Sequence, residues 1–164
     1  MSIVGHLLGA RADIQAVDNY AQTPLHWAAQ NGFLDSAKLL VKARADLEAK
    51  QSLGMTPLNL ASYFGHVSIV GHLLGARANT EDKNKNGRTA LQNAVGRGHK
   101  DTASLLAQAG ADIETKDACA RPVLLNASKK GDLDMVTLLL GLRANLEATD
   151  AKGNTAIDRA AQAG

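Results

Sequence analysis

Apolar and polar positions alternate along this chain in blocks that return at a fixed interval. In residues 51–83, Leu58, Ala61 and Ser62 fall on one face at helical spacing. Gly65 interrupts them, and Ile69, Val70, Leu73 and Leu74 then form the apolar face of a second segment. Thr56 offers a capping hydroxyl, and Pro57 suits a first helical position, where its missing N–H would have no partner anyway. The frame Thr56-Pro57-Leu58-Asn59-Leu60-Ala61 has a counterpart 33 residues earlier at Thr23–Ala28 and 33 residues later at Thr89–Ala94. Further copies are Pro122–Ala127 and Thr155–Ala160. The pattern predicts two short helices per unit, joined at a glycine stop and followed by a turn such as the one marked by Gly54.

The register divides the chain into four complete units, 18–50, 51–83, 84–116 and 117–149, with partial units 1–17 and 150–164. No insertion breaks the spacing. Helices of about eight to ten residues are shorter than the ~12–15 that are marginal alone, so they hold only by stacking. Ala28, Ala61, Ala94, Ala127 and Ala160 share one repeat position, and Ala45, Ala78, Ala111 and Ala144 share another. Small residues at fixed places let neighbouring helices approach closely, as a stacked array requires.

These residues resemble the ankyrin repeat. The match rests on Thr23-Pro24-Leu25-His26-Trp27-Ala28-Ala29, on Gly65-His66, and on the Leu73-Leu74 pair at the family's spacing, over the whole chain. The resemblance implies an all-α solenoid of helix–turn–helix units joined by β-turn loops, a single repeat domain over 1–164. It also implies a concave face lined by turn tips and first helices, a protein–protein interaction role as scaffold or adaptor, and His26, His66 and His99 bonded to nearby backbone. Catalysis and cofactors are not expected.

Several positions depart from that pattern. Arg11, Arg44, Arg77 and Arg143 stand where the family closes the second helix with glycine; Gly110 keeps it. A positive φ there would cost a non-glycine residue about 1 kcal/mol. Glu48, Glu81, Glu114 and Glu147 follow four residues later and read as a solvated ladder of alternating charge. Unit 117–149 loses the capping threonine to Pro122 and the usual histidine to Leu125, so its first helix is expected to start differently and the unit to be the least stable. Residues 1–12 differ from 67–78 only at the first position, which suggests an array that begins within a second helix, ends within a first, and is a piece of a longer one.

Charge and composition narrow the function. A net charge of +2 does not argue for nucleic acid. A lone cysteine, Cys119, cannot form an internal disulfide, and no apolar run approaches the ~20 residues of a membrane span. The expectation is an intracellular monomer, cytoplasmic or nuclear, that contacts no membrane. His6, His26, His66, His72 and His99 are spread without a second ligand at helical spacing, so no metal site is expected.

What remains is surface. All five aromatics, Tyr20, Trp27, Phe33, Tyr63 and Phe64, precede residue 65. Trp27 is expected to fill core volume and Phe33 to pack locally. The places that the resemblance assigns to the concave face give the candidate contacts Tyr20, Gln22, Leu53, Met55, Tyr63 and Phe64, followed by the basic set Arg88, Arg97, Arg121, Lys129 and Lys130. A protein partner with apolar and acidic segments fits them. A second reading is a regulatory array within a longer enzyme, channel or signalling protein. A third, nucleic-acid binding through the basic C-terminal half, is opposed by the glutamate in every full unit.

Overall fold

The structure, a computed structural model, describes residues 3–163. Among them are ten helices and no strand: α1 (Ile3–Gly9), α2 (Pro24–Asn31), α3 (Leu34–Lys42), α4 (Pro57–Phe64), α5 (Val67–Gly75), α6 (Ala90–Arg97), α7 (Lys100–Gln108), α8 (Val123–Lys130), α9 (Leu133–Gly141) and α10 (Ala156–Ala163). Helices α2, α4, α6, α8 and α10 stack side by side as one layer, and α1, α3, α5, α7 and α9 as a second. The molecule is an all-α repeat solenoid.

Equivalent leucines build the core between the layers. Leu25, Leu58, Leu91 and Leu124 are buried in the first layer, and Leu40, Leu73, Leu106 and Leu139 in the second. Each such side chain contributes about 1.5–3 kcal/mol by leaving water. The alanines at 28, 61, 94 and 127 are buried against the next helix. Ala160 and Ile157 are exposed, because no further described helix covers α10.

The caps repeat too. Thr23, Thr56 and Thr89 accept the backbone N–H of His26, Asn59 and Gln92, and Gly32, Gly65, Gly98 and Gly131 end the first helices in the left-handed conformation. Pro122 gives no side-chain cap, yet α8 starts in the same register as the others, contrary to expectation. Thr23 and Thr89 donate their own N–H to the side chain three residues on, His26 Nδ1 and Gln92 Oε1. Leu125 could accept no such bond, and Pro122 has no N–H to donate, so the two substitutions compensate.

The arginines 11, 44, 77 and 143 adopt φ of 63°, 67°, 68° and 66°, in line with Gly110 at 91°. The strain anticipated at this position is therefore real. The glutamates differ from expectation. Glu48 Oε1 accepts the backbone N–H of Asn79 at 2.8 Å, and Glu114 Oε1 that of Asn145 at 2.8 Å. They tie one unit to the next instead of forming a loose charge ladder with the arginines. Met1, Ser2 and Gly164, on which the reading of the chain ends partly rests, lie outside the described residues.

Candidate protein-binding surface

Each unit sends out a turn built the same way. Asp18, Asn84, Asp117 and Asp150 each accept two backbone N–H groups of their own turn through Oδ1, and Gln51 Oε1 accepts that of Leu53. The fourth turn residue, three positions after the acceptor, takes a positive φ, as Ala21, Gly54, Gly87, Ala120 or Gly153. Neighbouring tips are then joined: Ser52 N–H donates to Tyr20 O at 2.9 Å, Lys85 N–H to Leu53 O at 3.0 Å, and Ala118 N–H to Asn86 O at 3.2 Å. A Cβ on Gly87 would lie 2.7 Å from the backbone nitrogen of Ala118, so glycine permits this close approach.

Between these tips and the first helices lies a cleft of about 540 Å³. Tyr20, Leu53 and Lys85 rise from the tips, while Gln30, Tyr63 and Phe64 come from the ends of α2 and α4. Seven of the eleven sequence-derived contact residues line it: Tyr20, Gln22, Leu53, Met55, Tyr63, Phe64 and Arg88. Tyr20 is 69% exposed, Leu53 64% and Phe64 43%. Met55 is only 7% exposed, which corrects the expectation of an exposed anchor. It forms cleft floor, and its carbonyl receives the His26 Nε2–H at 3.0 Å.

Tyr63 is half-buried against the core and meets Phe64 edge-on, centroids 5.1 Å apart. Trp27 is 48% exposed and donates its indole N–H to Asp18 Oδ2 at 3.1 Å. It does not fill the core as Leu60 and Asn93 do at the same repeat position, since no described first-layer helix precedes α2. Phe33 is exposed instead of locally packed.

The remaining basic residues lie outside the cleft and are largely engaged. The Arg97 guanidinium sits 3.8 Å from the Tyr63 ring centroid. Arg121 Nη2 pairs with Asp117 Oδ2 at 2.8 Å. Burial pushes the Asp117 carboxyl up, but the Arg121 guanidinium and the turn N–H groups outweigh it and hold the pKa below its usual range. Lys130 Nζ donates to the carbonyl of Gly96. That carbonyl is equivalent to those of Gln30 and Tyr63, which receive His66 Nε2–H at 3.0 Å and His99 Nε2–H at 3.1 Å. Asp132 occupies the corresponding histidine position and caps α9 through Met135 N–H, so Lys130 takes over the carbonyl. Lys129 is exposed. Sequence reasoning left Lys85 out of the contact set although its register placed it there; the structure puts it in the cleft wall.

Burial lowers the pKa of His26, and burial with the nearby Arg97, His66 and Lys130 lowers that of His99. Both rings are thus neutral hydrogen-bonding parts of the scaffold. Among the described residues no cluster of three or more His, Cys, Asp or Glu could hold a metal ion, and no helix is long and apolar enough to cross a membrane.

A family model described as ankyrin repeats (3 copies) matches residues 1–82 and 45–117. A second, described as ankyrin repeats (many copies), matches residues 97–140 and 124–164. No match was found among curated proteins. With its paired helices, linked turn tips and family match from end to end, the chain belongs to the ankyrin repeat family.

Proposed function

We propose that this protein is a non-catalytic binding module whose cleft takes a segment of a protein partner. Ankyrin repeats are generally protein–protein interaction modules and typically non-catalytic. The observation that carries the reading to a place on the molecule is the convergence of exposed Tyr20, Leu53 and Phe64 on one cleft. Large apolar side chains around a concave surface are typical interface anchors. The partner's apolar residues meet these three over Met55 and Tyr63, and its acidic part lies toward Arg88. In this reading the module works as a monomer inside the cell, in cytoplasm or nucleus, where the exposed Cys119 thiol stays reduced.

Substitution of Tyr63 would disturb Arg97 and the core as well as the cleft, so the test uses the turn tips. A Tyr20→Ala/Leu53→Ser variant is compared with wild type in affinity capture from cell lysate, after both are shown to melt alike. A protein retained by wild type and lost by the variant supports the cleft. Equal retention by both contradicts it.

A further inference from the structure

The cleft wall carries two cations, Lys85 and Arg88, and no carboxylate. Lys85 is exposed and has no ion-pair partner among the described residues. Arg88 Nε is 3.9 Å from Asp117 Oδ2, at the limit of an ion pair. Asp117 is already held by Arg121 and by two turn N–H groups. Arg97, Arg121 and Lys130, by contrast, are committed to Tyr63, Asp117 and Gly96. Within the cleft, available positive charge therefore comes from Lys85 and Arg88, which share its wall with Leu53 and Phe64. The rest of the wall holds carboxamides, Gln22, Gln30 and Asn86 among them, which can donate to and accept from a peptide backbone.

We infer that the cleft selects an extended peptide in which one large apolar side chain stands next to an aspartate or glutamate, the apolar group seated at Leu53 and Phe64 and the carboxylate taken by Lys85 and Arg88. This rests on the cleft being the binding surface and adds what it recognises. Charge complementarity favours a peptide over nucleic acid, since the wall offers only two cations for a phosphate backbone and the Tyr63 face is covered by Arg97.

The test is a displayed random-peptide library panned on three proteins: wild type, Tyr20→Ala/Leu53→Ser, and Lys85→Gln/Arg88→Gln, each with an unchanged melting profile. The expected result is a set of peptides retained by wild type and lost on the rim variant. These peptides share an apolar–acidic pair and bind the Lys85/Arg88 variant about tenfold more weakly. Rim-dependent peptides without acidic enrichment, bound equally by the charge variant, overturn this inference and leave the cleft reading standing. No peptide preferring wild type over the rim variant overturns both. Salt-sensitive capture of single-stranded oligonucleotides, lost with Lys85 and Arg88, or self-association of the wild type abolished by the rim substitutions, overturns the peptide assignment.

Discussion

Glu81 Oε1 accepts the backbone N–H of Asp112 at 3.1 Å, across the junction between two repeats. Its Oε2 also receives the Thr115 hydroxyl at 3.3 Å. Glu48 and Glu114 make the same backbone bond one unit before and one unit after. A hydrogen bond from backbone to carboxylate contributes more than an exposed ion pair, though the solvent around Glu81 moderates it. Glu81→Ala is expected to lower stability by about 1 kcal/mol, read as a shift in urea midpoint. Removing the charge of Arg77 by Arg77→Gln should leave that midpoint nearly unchanged if the glutamates serve as junction clips. Equal loss from both would restore the charge-ladder reading.

The left-handed arginines give a prediction of opposite sign. Arg77 holds φ 68° without a side-chain reason visible in the structure. Arg77→Gly is expected to stabilise by about 0.5–1 kcal/mol. Gly65→Ala should do the reverse, by about 2 kcal/mol or more. Its φ is 76°, and a Cβ there would lie 2.6 Å from His99 Nδ1. Denaturation curves of the two variants should move apart on either side of wild type.

Acid should weaken the fold in a window set by His26. Burial depresses its folded-state pKa below the ordinary value of about 6.5. The neutral form is favoured on folding, so this stability is complete above about 6.5 and is lost as pH falls below it. His99 adds to the same trend. Gln92 fills the equivalent place in α6 with the same two roles, accepting from Thr89 and donating across the junction to the carbonyl of Arg121 at 3.3 Å, besides that of Thr115 in its own unit at 2.7 Å. His26→Gln is therefore expected to fold, and to lose less stability than wild type between about pH 7.5 and 5.5. An unchanged pH slope would contradict the assignment.

The compensating pair Pro122 and Leu125 predicts non-additive behaviour. Pro122→Thr alone restores a cap but adds a buried N–H that Leu125 cannot accept. Pro122→Thr/Leu125→Gln rebuilds the arrangement of Thr89 and Gln92. The double variant is expected to exceed the sum of the singles by about 1 kcal/mol in a double-mutant cycle.

Much of the fold could be read in the sequence because the period exposes whatever is local to one unit. Thr56 as cap, Gly65 as stop and the buried face of Leu58, Ala61 and Ser62 depend on residues a few positions apart. What escaped depends on partners one unit away. Glu48 looked solvated until Asn79 was placed beside it. Lys130 looked like free charge until Gly96 and the change from histidine to Asp132 were seen together. Trp27 shares a repeat position with buried Leu60, but burial there needs a neighbouring first-layer helix. Most of the candidate surface followed from register alone, because turn tips and helix ends recur at fixed places. Its charge did not, since Arg97 and Arg121 are consumed by Tyr63 and Asp117.

The most direct test of the central claim is site-specific photo-crosslinking to the captured partner. A photoreactive side chain is placed at Leu53 or Asn86 in the cleft, and at Lys38 or Gln108 on the exposed faces of α3 and α7. Crosslinks from 53 and 86, with none from 38 and 108, are the predicted result. Crosslinks from 38 or 108 alone would place the partner on the second-helix layer and contradict the account.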